Sequence, residues 1–189
     1  MSTRTTPNMI ESTLKEAAQL HASLPETQRA LIAQAGTLMT ETLRAGRKII
    51  WFGNGGSATQ SQHMAAEFVG RFQQERRSLP SISLTENMAS VTAIGNDYAF
   101  QQIFSRQLEG LAQPGDVAIG LSTSGNSPNV VEALRTAKTL TVQTIGLTGG
   151  TGGQLAALCD ICICVPSTVP ARIQEVNLTI GHLLCALVE

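Results

Sequence analysis

Apolar positions along the chain follow two successive patterns. Up to residue 47 they recur at helical spacing. Ile10, Leu14, Ala17, His21 and Leu24 mark one stripe. After Pro25, a residue suited to a first helical turn, Leu31, Ala35, Leu38 and Leu43 mark a second stripe that ends at Gly46. From Lys48 onward, short and nearly continuous apolar runs over 49–52, 82–84, 117–121, 142–147 and 161–165 alternate with helical stretches. Those stretches fall near 57–71, 88–110, 128–139 and 154–158, with a closing helix over 172–188. Strands that are apolar at every position are covered on both faces, so five of them separated by helices predict a parallel sheet between two helical layers. No repeat, low-complexity tract or linker interrupts the pattern. The expectation is one structural unit: an N-terminal helical arm over 1–47, packed on the core or on a neighbouring subunit, and an α/β domain over 48–189.

In a parallel α/β sheet, ligands bind beyond the carboxyl ends of the strands, so the polar loops there are informative. The first reads Gly53-Asn54-Gly55-Gly56-Ser57-Ala58. Its glycines permit a tight turn and close approach of the backbone to a ligand, and the following helix aims free N–H groups at it. Gly53-x-Gly55-x-x-Ala58 also matches the dinucleotide-binding pattern, but that pattern needs an acidic residue at the end of the next strand. The stretch about 20 residues on, Arg71-Phe72-Gln73-Gln74-Glu75-Arg76, precedes the next apolar run, so no nucleotide cofactor is expected. The second loop, Ser122-Thr123-Ser124-Gly125-Asn126-Ser127-Pro128, gathers four hydroxyls and a glycine turn at a helix start. A phosphate there would meet hydroxyl and amide donors and the positive end of a helix dipole; an ordinary capped turn has the same composition. No P-loop lysine follows, which argues against an NTPase.

Two pairs of polar side chains sit on helices near these loops. His63 and Glu67 are four residues apart and share a helix face, as do Gln174 and His182, eight apart. Taken singly, the first pair also fits a solvated surface pair, and His182 a satisfied core histidine. Taken together beside a phosphate loop, a carboxylate and an imidazole are the acid/base groups needed to move a proton next to a carbonyl. His63, Glu67, Gln174 and His182 also make an N/O ligand set for Zn²⁺, with Gln as an unusual member. Asn96 and Asp97, in Gly95-Asn96-Asp97-Tyr98, are candidates for contacts to sugar hydroxyls or for a helix-capping turn.

Composition narrows the classes. Of 189 residues only 14% are charged, against roughly 25% in an average soluble domain, while 42% are hydrophobic. A surface so poor in charge is expected to bury apolar area between subunits. The net charge is −1 and the longest basic run is Arg76-Arg77, which provides no footprint for nucleic acid or an anionic membrane. The polar stretch 1–8 lacks the apolar core of a signal peptide, and no apolar run is long enough to span a bilayer. A cytoplasmic protein is expected. Cys159, Cys162, Cys164 and Cys185 fit that compartment as small buried thiols; the Cys159/Cys162 spacing has no second pair to complete a metal site.

Gly53-Asn54-Gly55-Gly56-Ser57, His63 with Glu67, Gly70-Arg71-Phe72, Gly95-Asn96-Asp97-Tyr98, Ser122-Thr123-Ser124-Gly125-Asn126-Ser127, and Arg172-Ile173-Gln174-Glu175 with His182 together resemble the phosphoheptose isomerases. The resemblance runs in order through the chain after residue 10. It implies a sugar isomerase (SIS) domain: a three-layer α/β/α sandwich whose five-stranded parallel sheet has the flavodoxin-like order. The implied activity is aldose–ketose isomerisation of sedoheptulose 7-phosphate to D-glycero-D-manno-heptose 7-phosphate through an enediol or enediolate, towards ADP-heptose and the heptose of lipopolysaccharide. It implies Glu67 and His182 as catalytic residues, and Ser122, Thr123, Ser124 and Ser127 as the phosphate grip. Asn54, Gly55, Gly56, Ser57, Glu67, Asn96, Asp97 and Gln174 would meet the rest of the substrate. His63, Glu67, Gln174 and His182 would hold one Zn²⁺ per subunit in a homotetramer with active sites between subunits. Many members carry acidic residues where this chain has Gln60 and Ala171. The alternative is a non-catalytic SIS-domain protein similar to the factor that binds the replication initiator in some bacteria. Those relatives lack a carboxylate at the position of Glu67.

Overall fold

A computed structural model of the chain describes residues 6–189; residues 1–5, which belong to the polar N-terminal stretch and to the 1–47 arm, lie outside the described residues. Two helices come first, α1 (Thr6–Ala22) and α2 (Glu26–Arg44). Pro25 caps α2 from just outside rather than sitting in its first turn. The alternating part follows as β1 (Ile49–Gly53), α3 (Gly56–Val69), β2 (Ser81–Ser83), α4 (Met88–Asp97), α5 (Ser105–Leu111), β3 (Val117–Ser122), α6 (Pro128–Thr139), β4 (Gln143–Gly149), α7 (Leu155–Leu158), β5 (Ile161–Val165) and α8 (Pro170–Val188). The helix expected over 88–110 is therefore broken. Gly95-Asn96-Asp97 are weak helix formers, and Tyr98 and Ala99 leave the helical region (Ala99 at φ −161°, ψ 151°), with a single 3₁₀ turn at Phe100–Gln102 before α5.

All five strands are parallel, in the order β2-β1-β3-β4-β5. β1 and β3 are buried at every position, which is why their sequences read as continuous apolar runs. Two apolar clusters cover the faces. One joins Ile32, Ala35 and Met39 of α2, Met64 and Phe68 of α3 and Ile173, Val176 and Ile180 of α8 to Ile49, Trp51 and Ile119 of the sheet. The other joins Phe104 and Leu108 with Val130, Leu134 and Ala137 of α6 to Ile50, Phe52 and Ala118. Successive residues of β1 thus serve opposite layers, as a pleated strand requires.

At the amino end of the sheet, buried Asp116 accepts hydrogen bonds from the Lys48 and Gln113 amides (3.0 and 2.8 Å) and from Lys48 Nζ (2.6 Å). This clamps the starts of β1 and β3 side by side and leaves their other ends to carry the loops. α1 buries no residue; it rests on α8 through His21 Nε2 and Thr179 Oγ1 (3.0 Å) and through Arg172, which donates to the Thr13 carbonyl (3.1 Å). Met9, Ile10 and Leu14 on α1 and Leu183 and Leu187 on α8 remain exposed.

The cysteines are free thiols. Cys185 is buried as expected, whereas Cys162 and Cys164 are only half-buried, because β5 is an edge strand, and Cys159 is half-buried at the end of α7. Hydrogen bonding to Cys159 pushes the Cys162 thiol up to about 12, its bond to Cys162 raises Cys164 as well, and burial pushes Cys185 up to about 12. Thiols so placed stay protonated near neutrality. No helix among the described residues is long and apolar enough to cross a membrane.

Candidate active site

The chain leaves β1 through α3 to reach β2 on one side, and leaves β3 through α6 to reach β4 on the other. The order therefore reverses between β1 and β3, and their two outgoing loops flank the crevice of a topological switch point. Both glycine-rich loops singled out in the sequence are these two. In the first, a β-carbon at Gly53 would lie 2.8 Å from Ser57 Cβ and 2.9 Å from the Leu121 carbonyl, so only glycine lets the turn lie flat on β3. Gly55 (φ 55°) precedes α3, and Ser57 is buried beneath the turn. The Asn54 and Asn129 amides donate to each other reciprocally at 2.8 Å, tying the first loop to the start of α6. Asn129 is buried and was missed by sequence reading; its only local signal is its place next to Pro128 in the second loop.

The second loop is braced from within and behind. Gly125 takes φ 68° and its amide donates to the Ser122 carbonyl (3.0 Å). The Gly149 amide donates to the Thr123 carbonyl (3.1 Å), the Leu155 amide to the Gly125 carbonyl (3.2 Å) and the Gln154 amide to Asn126 Oδ1 (3.1 Å). The four hydroxyls divide into two kinds. Ser122 is buried, lies 2.9 Å from Ser127 Oγ and accepts from the Ser127 amide (3.3 Å), so it holds the turn together. Ser124 is exposed and Thr123 and Ser127 half-buried, which leaves these hydroxyls nearer the crevice.

On α3, the helix that follows the first loop, His63 and Glu67 meet His182 of α8. His63 Nε2 is 3.1 Å from Glu67 Oε1 and 3.1 Å from His182 Nε2. The ligating atoms of all three lie within 4.8 Å of one another, the only such cluster of His, Cys, Asp and Glu among the described residues. The cause is close helix packing: a β-carbon at Gly181 would overlap the Met64 thioether. Gly181 and Met64 precede and follow the two histidines in sequence, so their contact sets the imidazole spacing. Phe72 stacks on His182, with ring centroids 5.3 Å apart and planes at 13°.

Gln174 lies two turns before His182, with its amide against the start of α3, where a β-carbon at Gly56 would come within 2.6 Å of Nε2. Among the described residues its side chain makes no hydrogen bond to His63, Glu67 or His182. Gln60 reaches α8 by donating to the Gln174 carbonyl (2.7 Å), while its own Oε1 is buried without a partner. Asn96 and Asp97 end α4 in exposed positions, where Asn96 donates to Asp97 (2.8 Å), and among the described residues neither hydrogen-bonds to the loops or the His/Glu cluster.

Two imidazole nitrogens and a carboxylate oxygen suit Zn²⁺. Tetrahedral coordination with bonds of about 2.0–2.1 Å places neighbouring donors roughly 3.3 Å apart. Two of the three separations, at 3.1 Å, are close to that spacing and the third lies within 4.8 Å, so His63, Glu67 and His182 form a candidate site for a metal ion.

Residues 14–149 match the family described as SIS domain. Phosphoheptose isomerase of Rhodospirillum rubrum is 52% identical over 158 residues, covering 84% of each chain, and that of Nitratiruptor sp. is 50% identical over 180 residues, covering 95% of this chain and 96% of its own. Solved phosphoheptose isomerase structures from Neisseria gonorrhoeae and Francisella tularensis superpose with TM-scores of 0.92 and 0.93 at 37% and 36% identity, each covering 97% of this chain and 98% of its own. With its SIS fold, its flavodoxin-like strand order and this degree of identity, the chain belongs to the phosphoheptose isomerase family.

Proposed function

We propose that the protein is an aldose–ketose isomerase that converts sedoheptulose 7-phosphate into D-glycero-D-manno-heptose 7-phosphate. The observation that supports this most is the convergence of Glu67 and His182 from distant helices, in a chain with this degree of identity to phosphoheptose isomerases. Phosphate binds at the 122–127 turn, where Thr123, Ser124 and Ser127 supply hydroxyl donors and Ser122 keeps the turn closed. The amide ends of α3 and α6 add fixed positive dipoles. Asn54, Gly55, Gly56 and Gln174 line the sugar, while Ser57, buried beneath the turn, shapes the loop that presents them. Asn96 and Asp97 serve from the exposed end of α4, towards a site shared with a neighbouring subunit.

Glu67 takes the proton from C1 of the ketose while His182 donates one to the C2 carbonyl oxygen, giving an enediol. His182 then recovers the proton from the C1 hydroxyl as Glu67 returns its own to C2, and the aldose results with no net gain or loss of protons. Zn²⁺ held by His63, Glu67 and His182, with Gln174 as a fourth ligand, would polarise oxygens and fix the geometry of the set. Glu67 also separates this reading from the non-catalytic alternative, which needs no carboxylate there.

The exposed apolar positions of α1 and α8 support assembly into a homotetramer, with the described part of the helical arm packed on its own core or on a neighbour. A cytoplasmic location and a role in supplying ADP-heptose for lipopolysaccharide follow from the substrate. The test is incubation of the purified protein with sedoheptulose 7-phosphate and identification of the product. An aldoheptose 7-phosphate is expected; its absence would refute the assignment. Chelation is expected to abolish most turnover and added Zn²⁺ to restore it, whereas full activity in metal-free protein would remove zinc from the scheme.

Ser124→Ala deletes one exposed donor to a charged group. Substrate binding is expected to weaken by about 1.5–3 kcal/mol, which is roughly 10–150-fold in Kd, at unchanged melting temperature. Titration calorimetry measures this, and an unaltered Kd would show that the hydroxyl does not touch phosphate.

A further inference from the structure

His63, Glu67 and His182 stand at a helix–helix surface where His63 and Glu67 are both part-exposed, yet proton transfer needs each group held within a fraction of an ångström. A polar network behind them has no part in the scheme above. The Arg76 guanidinium lies at the end of α3: Nη2 donates to the Glu67 carbonyl (2.9 Å), and Nη1 to the carbonyls of Phe68 (2.9 Å), Gly70 (3.2 Å) and Arg77 (3.2 Å). A cation there adds a donor to carbonyls at the end of the helix that carries Glu67; the Phe68 carbonyl also accepts the Leu79 amide (3.0 Å). Arg76 Nε is also 3.1 Å from Glu189 Oε1. Glu189 follows α8, and its side chain is 2% exposed. Its carboxylate accepts three consecutive amides, those of Phe72 (2.9 Å), Gln73 (2.8 Å) and Gln74 (2.9 Å), a nest of the kind that holds an anion. Burial acts to raise the Glu189 carboxyl, but the three amides and Arg76 outweigh it and hold it below the usual carboxylate range. The segment so bound presents Phe72 flat against His182.

We infer that Arg76 and Glu189 are positioning residues of the isomerase: one fixes the helix turn of Glu67, and the other fixes the loop whose Phe72 ring orients the His182 imidazole. The contacts join residues 117 positions apart at Phe72 and Glu189, and both converge on the two proton carriers. The inference rests on the proposed activity but is testable apart from it.

Glu189→Gln keeps the shape and replaces an acceptor oxygen with a donor, so the nest cannot be satisfied. Its kcat is expected to fall by about 10–100-fold, as for other groups that orient catalytic ligands, with KM near its wild-type value because the phosphate loop is untouched. If the pair acts as one device, Arg76→Met/Glu189→Gln loses no more than the worse single variant. Nuclear magnetic resonance of the imidazole protons supplies the second readout. The chain has three histidines, and the His182 signals, shielded by the stacked ring, are expected to move in the same direction in Glu189→Gln and in Phe72→Leu. Unchanged kcat, or loss confined to KM, in Glu189→Gln would overturn the inference, as would His182 signals that stay in place. If Glu189→Gln does not fold, Phe72→Leu carries both measurements with the same expected results. Wild-type protein with no turnover of sedoheptulose 7-phosphate would refute the proposed activity, while the resonance arm would still decide whether the pair orients His182.

Discussion

Glu67→Gln is expected to reduce kcat by about 10²–10⁴-fold, the span associated with loss of a positioned general base. The amide has the volume of the carboxylate but cannot accept a proton from carbon at neutral pH. Folding is expected to survive. Glu67 lies outside both apolar clusters, and among the described residues its one side-chain ion pair is with His63 at 3.1 Å. Its backbone carbonyl, held by Arg76, is untouched by the substitution. Phosphate affinity is expected to persist as well, because the 122–127 turn makes no contact with this side chain. Turnover of sedoheptulose 7-phosphate, the melting temperature and the Kd for inorganic phosphate check the three parts. Near-normal turnover would end the assignment of the base, and a fall of many degrees in melting temperature would show that the carboxylate is structural.

Gly125→Ala is expected to be the most damaging single methyl addition in the phosphate loop. Gly125 sits at φ 68°, where a β-carbon is strained, and that carbon would overlap the Gly152 carbonyl oxygen. The obstacle is backbone, and it belongs to a segment that three amides tie to the same loop, those of Gly149, Gln154 and Leu155. No side chain can swing aside to relieve it. Left-handed strain of about 1–3 kcal/mol adds to overpacking of about 1–3 kcal/mol. A total of about 4 kcal/mol lowers the melting temperature by roughly 8–16 °C for a chain of this size. The phosphate Kd should rise at least as much as in Ser124→Ala, because Thr123, Ser124 and Ser127 all move. Gly56→Ala is the control: there the new carbon meets the far end of the Gln174 side chain, which can rotate away. Thermal melts of the two variants side by side distinguish backbone obstruction from loss of flexibility alone.

Much of the architecture is written in short-range patterns. β1, β3 and β4 are covered on both faces, so every position in the covered stretch is apolar or small, and the runs announce themselves. The loops after β1 and β3 are legible for a related reason: a chain that must turn within a few residues and bring its backbone to an anion uses glycine and hydroxyl residues. The break in 88–110 was harder to see, because apolar residues continue across it and only the weak helix propensity of Gly95-Asn96-Asp97 marks it. The two kinds of hydroxyl in the 122–127 turn look alike in one dimension, since their difference is burial.

What local sequence determined by itself is the repertoire: helices, buried strands, two anion-type loops, and acid/base residues on shared helix faces. Which of these meet was decided by the tertiary structure. The 3.1 Å approach of His63 to His182 joins residues 119 apart and depends on Gly181 letting α8 close on Met64. The Asn54–Asn129 pair and the Glu189 nest likewise span long separations. Such contacts leave no periodic trace, because their partners are set by the packing of whole helices and strands against one core, and a single asparagine, glycine or glutamate carries no record of the surface it will face.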